Sequence, residues 1–257
     1  MTLFDAGIHP SLTGEWTNGR EGLTFEELGN LLDSGLINGA CAIGLPGVGG
    51  YKHSSFFQRA SEIPGVVPVA AITENDPCRW IHELHEIRSV GFRAVKFHPR
   101  LLGLNARPEL VENILGMCAS SDLTLFYCTY ATAAPGSLPR QDPLWSIVRA
   151  VATHPEAPIV LVHGGVHRLL EYAETFRYCP SVLIDLSFTL TRFVNSSVRK
   201  DISHVLQTLD QRVCLGSDTP DVPWSTWWER AETVKDEVDP ARWHRIAQGN
   251  IREFLRC

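Results

Sequence analysis

No apolar run in these 257 residues approaches the length of a membrane span. The N-terminus carries Asp5 and lacks a basic stretch followed by a long apolar region, so no signal peptide is expected. Nor is there an excess of basic residues: the net charge of -6 argues against binding that depends on neutralising nucleic-acid phosphates. These absences favour a protein that binds neither membranes nor nucleic acids.

The seven cysteines form no CxxC pair, and their number is odd. Because most of them lie inside apolar runs, they indicate reduced, buried thiols and a cytoplasmic location rather than a disulfide framework. With 44% apolar and 20% charged residues the composition is that of an ordinary globular protein. No internal repeat or composition shift divides the chain, so residues 1–257 are expected to form one domain.

Short apolar runs alternate with longer helical segments eight times along the chain. The runs are LFDAGIH (3–9), GACAIG (39–44), GVVPVAAI (65–72), RAVKFH (93–98), LTLFYCTY (123–130), PIVLVHG (158–164), VLIDLS (182–187) and RVCLGSD (212–218). This repetition predicts an α/β fold, a single-domain (β/α)8 TIM barrel. A doubly wound open sheet is the alternative, but no glycine-rich phosphate loop follows the first run.

Several intervening segments carry the signals that begin and end helices. Thr24 precedes Glu27 by three residues, which is a capping-box pattern. A cap residue followed by proline, or a glycine after a helical stretch, marks four more helix ends: Asp76-Pro77, Asp142-Pro143, Gly35 and Gly91. These signals place helix boundaries between the runs, as a barrel requires.

Four of the runs end in polar residues that can bind a metal or move a proton: His9, His98, His163 and Asp218. In a TIM barrel the chemistry lies at the carboxyl ends of the strands, so these residues are expected to meet at one mouth. Side chains alternate along a strand, which predicts that His163 shares a face with Ile159 and Leu161.

The segments FDAGIHP, GFRAVKFHP, IVLVHGG, CLGSDTP and GNIREFL follow one another along the whole chain. Together they resemble the motifs of the amidohydrolase-related family, the metal-dependent hydrolases and decarboxylases of the amidohydrolase superfamily. The resemblance implies a barrel that acts on a small molecule, with its site at the strand ends.

The resemblance also implies roles for individual residues. His9, His163 and Asp218 match metal ligands of the family, and Asp218 matches the residue that also serves as base or acid. Lys96 and His98 match the pair that lines the pocket, and both are candidate catalytic residues. Two positions depart from the pattern. Gly7 replaces the first metal-binding histidine, and Cys128 stands where the fifth strand normally ends in histidine.

These departures leave two mechanisms open. In one, a single divalent metal such as zinc is bound by His9, His163, Asp218 and Cys128. In the other, Asp218 or His163 activates water without a metal, as the resemblance to metal-independent lactone hydrolases implies. Lys96, His98 and Arg100 would then hold a carboxylate and stabilise the negative charge on the attacked carbonyl, while Gly7 would leave room for substrate.

Three further residues are candidate substrate contacts. Tyr130 and Arg192 lie near strand ends, and Arg192 suits an anionic substrate. Trp224 follows Asp218 closely and could wall the pocket, pack helices onto the barrel, or contact a second subunit of a homo-oligomer. Lys96 is a substrate anchor or, alternatively, an ion-pair partner of Asp5 or Asp185.

Three functions agree with this pattern. The first is a hydrolase that cleaves an amide, cyclic amide or lactone bond of a small carboxylated substrate. The second is a decarboxylase or hydratase of a small aromatic or unsaturated acid. The third is a barrel that has lost catalysis and acts as a binding protein.

Overall fold

The computed structural model describes residues 2–104, 107–130 and 142–257. Eight parallel strands, one overlapping each of the eight runs, pair in chain order to form a single sheet. The barrel strands are numbered here in that order: β1 Leu3–Ile8, β2 Ile37–Ile43, β3 Val66–Ala71, β4 Ala94–Phe97, β5 Thr124–Cys128, β6 Ile159–Val162, β7 Val182–Asp185 and β8 Val213–Cys214. The prediction of a (β/α)8 barrel is confirmed.

Main-chain hydrogen bonds join the first strand to the last. The amide of Ala6 donates to the carbonyl oxygen of Leu215 over 2.9 Å. The amide of Asp218 donates to the carbonyl oxygen of Gly7, also over 2.9 Å. The open doubly wound sheet is therefore the wrong alternative, because its outer strands would not meet. A short parallel pair outside the barrel, Pro10–Ser11 with Leu23–Thr24, begins the connection that follows β1.

Helices fill the connections between the strands. They are α1 Phe25–Asp33, α2 His53–Ser61, α3 Trp80–Val90, α4 Leu110–Ser120, α5 Pro143–Thr153, α6 Leu169–Thr175, α7 Thr189–Arg192, α8 Val198–Thr208, α9 Trp224–Lys235, α10 Pro240–His244 and α11 Asn250–Leu255. The capping box of Thr24 and Glu27 is formed at α1, and the Asp142 side chain caps α5 by accepting from Leu144 N. Gly91 ends α3 with a φ of 121°, which a residue with a Cβ rarely adopts.

The apolar residues form two layers. One fills the space between the strands and the surrounding helices, and the other fills the inside of the barrel, where Phe4, Cys41 and Phe126 meet. Ile251 of α11 joins the inner layer and closes the barrel at the amino ends of the strands. Asn250 fixes this helix because its amide donates to the carbonyl oxygen of Val213 over 2.7 Å. The closed floor leaves the carboxyl ends of the strands as the open mouth.

Within the described ranges, no helix is both long enough and apolar enough to cross a membrane.

Candidate active site

The residues that follow the strands converge on one cavity at the carboxyl ends of the barrel, which we name the mouth cavity. Its volume is about 260 Å³, and it is lined by His9, Trp16, Leu45, Lys96, His98, Arg100, Tyr130, His163, Phe188, Asp218 and Asp221. Seven of these are residues that the sequence singled out. The structure therefore brings together side chains from β1, β4, β6 and β8, as the strand-end pattern predicts.

Strict alternation along the strands does not explain how His163 reaches this cavity. Ile159 and Leu161 belong to the layer beneath the helices, so their shared face points away from the barrel axis. His163 turns inward because its backbone is left-handed, with a φ of 70°, and Asp218 adopts a similar φ of 58°. The predicted face was wrong for His163, since the alternation of side chains ends where the extended backbone ends.

The ring of His9 is fixed by the main chain of the neighbouring strand. Its Nδ1 lies 2.9 Å from the carbonyl oxygen of Ile43, which can only accept, so Nδ1 carries the proton. Burial and the nearby charge of Lys96 lower the pKa of His9, so the ring is neutral and Nε2 is an acceptor. That nitrogen lies 3.2 Å from Lys96 Nζ and 3.3 Å from Asp218 Oδ1. His9 therefore accepts a hydrogen bond from the Lys96 ammonium.

Asp218 and His163 form the charged centre of the cavity. Burial alone would raise the pKa of the Asp218 carboxyl, but the positive charges of His163 and Lys96 hold it well below its usual range. Burial likewise opposes protonation of His163, but the negative charges of Asp218 and Cys128 raise its pKa to about 9. At neutral pH the cavity therefore contains a carboxylate, an imidazolium and an ammonium.

Cys128 lies behind the cavity wall rather than in it. Its side chain is 4% exposed, and it neighbours His98 and His163. Burial would raise the pKa of this thiol, but the neighbouring side chains of His98 and His163 lower it well below its usual value. Cys128 thus balances positive charge at the end of β5, where the family pattern has a histidine.

The arrangement does not fit the resident metal that the resemblance implies. A metal bound to His9 would need Nε2, because Nδ1 already donates to the main chain, and a zinc–nitrogen bond is about 2.0 Å long. The Lys96 ammonium occupies the space in front of that nitrogen. Gly7 supplies no ligand, and in the described part of the chain no three His, Cys, Asp or Glu side chains are grouped to share a metal ion.

Because the Lys96 ammonium contacts His9, it forms neither of the alternative ion pairs, with Asp5 or with Asp185, that the sequence suggested. Asp5 lies below the cavity, fully buried, and its Oδ1 accepts from the amides of Gly7 and Ser217 over 3.0 and 2.8 Å. Its Oδ2 has no hydrogen-bond partner among the described residues. Burial raises the pKa of Asp5 to about 6, and the neighbouring carboxyl of Asp185 adds to the effect. Gly7 is held in this layer and is not part of the cavity lining.

The candidate substrate contacts divide into two groups. Arg100 lies over the Tyr130 ring at 5.3 Å, and both side chains line the cavity. Arg192 is exposed and lies over the Phe188 ring at 5.2 Å, one side chain removed from the cavity. Trp224 is not part of the lining. Its ring lies 5.1 Å from that of Trp227, because α9 packs these rings onto the barrel.

Sequence reasoning missed four residues of the cavity wall: Trp16, Leu45, Phe188 and Asp221. The Trp16 indole donates to Asp221 Oδ1 over 2.9 Å, which ties the connection after β1 to the one after β8. The Trp16 ring lies 5.5 Å from that of His9. The available signal was position alone, since all four residues lie in segments that follow strands.

Fold and site together define a (β/α)8 barrel with a polar cavity at the carboxyl ends of its strands, the place where TIM-barrel enzymes carry their active sites. The family model for amidohydrolases matches residues 43–257. The chain therefore belongs to the amidohydrolase family. No curated protein matches it in sequence.

Solved structures share the fold at low sequence identity. An uncharacterised TIM-barrel protein of Bordetella bronchiseptica is 17% identical, with a TM-score of 0.81 over 100% of this chain and 99% of that one. A probable 2-pyrone-4,6-dicarboxylic acid hydrolase of Acinetobacter baumannii, with citric acid bound, is 16% identical, with a TM-score of 0.66 over 100% of both chains. A 5-carboxyvanillate decarboxylase of Sphingomonas paucimobilis is 12% identical, with a TM-score of 0.65 over 99% of both chains.

Proposed function

We propose that the protein is a hydrolase that cleaves an amide, cyclic amide or lactone bond in a small carboxylated substrate. The observation that carries the proposal is the charge arrangement in the mouth cavity. A carboxylate able to accept a proton from water, Asp218, shares the cavity with two cations able to stabilise an oxyanion, Lys96 and His163. Hydrolysis of a carbonyl compound uses all three groups.

We further propose that the reaction needs no resident metal. The Lys96 ammonium, in front of His9 Nε2, places a positive charge where a metal bound to that histidine would place one. Lysine acts as a point charge toward anions, so it can stabilise a developing oxyanion. His9 holds this ammonium by accepting from it, and the fixed tautomer of His9 keeps the acceptor nitrogen directed at Lys96.

The proposed reaction has two steps. A water oxygen attacks the carbonyl carbon while its proton passes to Asp218, and the electron pair of the C=O bond moves to oxygen beside Lys96. The tetrahedral intermediate then collapses, the carbonyl is restored, and the bond to the leaving nitrogen or oxygen breaks. His163 gives the proton on Nε2 to that leaving atom. Exchange with solvent returns Asp218 and His163 to their starting states.

The remaining wall suits a small, flat, anionic substrate. Arg100 and His98 are placed to bind a carboxylate, and the rings of Tyr130, Trp16 and Phe188 offer apolar faces beside them. At about 260 Å³ the cavity is below the usual size range of ligand pockets, so the substrate should be small. Two of the structural neighbours are named for small carboxylic acids.

A decarboxylase is the second candidate, because the same groups could also bind an acid and protonate carbon. The His163 imidazolium could donate to the carbon that loses carbon dioxide. Products separate the two reactions. Hydrolysis adds water and gives a new carboxyl group, whereas decarboxylation releases carbon dioxide and consumes one.

The decisive experiment screens lactones, cyclic amides, amides and aromatic acids with the wild-type protein and with Asp218→Asn. Loss of the proton acceptor should reduce kcat by about 10²-fold to 10⁴-fold. Asp122→Asn is a matched control, because Asp122 also has a positive φ of 53°, which asparagine tolerates, and lies in the connection before β5 at the opposite end of the barrel. Full activity in Asp218→Asn would refute the mechanism, and ligand binding without turnover would support the binding protein instead.

A further inference from the structure

A pair of hydrogen-bonded polar side chains beneath His163, Ser187 and Asp185, has no role in the reaction described above. His163 Nδ1 lies 2.9 Å from Ser187 Oγ, and the Ser187 hydroxyl contacts Asp185 Oδ2 at short range. Asp185 is the last residue of β7, and Ser187 follows it in the connection to α7. All three side chains are at least 95% buried. These hydrogen bonds lead from Asp185 in the barrel interior, through Ser187, to the imidazole of His163 in the cavity wall.

Among the described residues, the hydrogen bonds of the Asp185 carboxyl go only to His163 and Ser187. Its Oδ1 accepts from Ser187 N over 3.1 Å, and its Oδ2 accepts from His163 N over 3.4 Å as well as contacting the Ser187 hydroxyl. A buried carboxyl is costly unless it is hydrogen-bonded. Here every hydrogen bond found for it ends on His163 or on the residue that contacts the His163 ring.

The position of the ring follows from this contact whichever way the shared protons lie. Ser187 Oγ faces Nδ1, which leaves Nε2 for the cavity that His163 lines and for the neighbouring Cys128 side chain. A hydroxyl can donate or accept, so it matches either state of Nδ1. Asp185 orients the hydroxyl, and the hydroxyl orients the ring.

The backbone of His163 needs such support. A left-handed conformation in a residue other than glycine is strained and persists only where its surroundings impose it. His163 has a φ of 70°, and Thr189 Oγ1 donates to its carbonyl oxygen over 2.6 Å. Thr189 therefore fixes the main chain of His163, while Ser187 fixes its ring.

We propose that Ser187 and Asp185 are positioning residues, which hold the His163 ring so that its Nε2–H is directed at the leaving atom of the substrate. The proposal rests on the proposed function for the identity of that atom. It predicts that removing the Ser187 hydroxyl frees the ring without removing the imidazole. It also predicts that the hydroxyl of Ser196, which follows α7 and donates to the carbonyl oxygen of Phe193 over 2.9 Å, does not have this effect.

Nuclear magnetic resonance of the ¹⁵N-histidine-labelled protein tests the orientation without any substrate. The His163 ring signals are assigned by their absence in His163→Gln. In the wild type at neutral pH, the Nδ1 proton facing Ser187 should be visible because its exchange with water is slow. Ser187→Ala should lose that signal, and Ser196→Ala should keep it. An unchanged signal in Ser187→Ala, or equal loss in Ser196→Ala, would overturn the proposal.

Kinetics with a substrate from the screen then test the consequence. Ser187→Ala should lower kcat by about 10-fold to 100-fold, the usual scale for a group that orients a reacting one, with little change in KM. Asp185→Asn keeps an acceptor oxygen, so its kcat should fall by less than that of Ser187→Ala. If Ser187→Ala does not fold, Asp185→Asn is measured in its place. A screen without hydrolysis but with the expected resonance pattern would refute the proposed function and leave the positioning intact. Equal loss of kcat in Ser196→Ala would refute the positioning and leave hydrolysis intact.

Discussion

The free energy of unfolding of Asp5→Asn, relative to that of the wild type, should increase as the pH rises. Asp5 is fully buried under the mouth cavity, and its Oδ2 finds no partner among the described residues. An asparagine keeps one oxygen to accept from the amides of Gly7 and Ser217, and it removes the ionisable group. The wild-type carboxyl, by contrast, must carry a negative charge in the barrel interior at high pH.

The magnitude follows from the pKa of Asp5, which burial raises from 3.8 to about 6. A group whose pKa is raised by folding stabilises the folded state fully below its unfolded pKa, and that stability is lost as the pH rises through the folded pKa. A difference of about two units corresponds to about 3 kcal/mol. Roughly half of this is already lost at pH 5, so about 1.5 kcal/mol separates pH 5 from pH 8.

Urea unfolding of the wild type and of Asp5→Asn at pH 5 and pH 8 measures this difference. The free energy of unfolding of the variant, relative to the wild type, should rise by about 1.5 kcal/mol between the two pH values. Any pH-independent effect of the substitution cancels in that comparison. Asp122→Asn is the control, since it makes the same chemical change at a carboxylate that is 86% exposed and lies outside the barrel interior. A constant difference for Asp5→Asn would refute the reasoning.

Three other changes test separate parts of the site. The acid form of His163 has a pKa of about 9, so kcat should fall as the pH rises through that value, and a flat profile to higher pH would contradict its role as acid. Gly216→Ala places a Cβ 2.9 Å from Asp185 Oδ1 and should lower the free energy of unfolding by about 1 to 3 kcal/mol, whereas Gly29→Ala, with open space around it, should not. Arg100→Gln should raise KM by about 10-fold with a smaller effect on kcat, and the reverse pattern would argue against substrate binding.

The barrel could be predicted because its signals are local and repeated. Each strand is an apolar run between helices that have recognisable ends, such as the Thr24 capping box and Gly91. A parallel strand buried on both faces reads as a continuous apolar run, so eight such runs indicate the architecture directly. The mouth followed from the same pattern, because polar residues after the strands must meet at their carboxyl ends.

The details of the site could not be predicted, because they depend on contacts between distant segments and on local departures from regular backbone. Alternation along β6 misplaced His163, whose left-handed backbone turns it inward. The partner of Lys96 is a ring nitrogen from β1, 87 residues away, and not one of the expected carboxylates. The connection through Ser187 and Asp185 left no recognisable motif, apart from a charged residue within an apolar run.

Metal content measured together with activity tests the central claim that Lys96 supplies the positive charge beside His9. The account predicts that the purified protein holds far less than one equivalent of zinc, manganese or iron per chain. It also predicts that activity on the substrate found in the screen survives dialysis against a chelator, and that Lys96→Met loses that activity without gaining a metal. One equivalent of metal per chain, with activity lost on chelation and restored by the same metal, would contradict it.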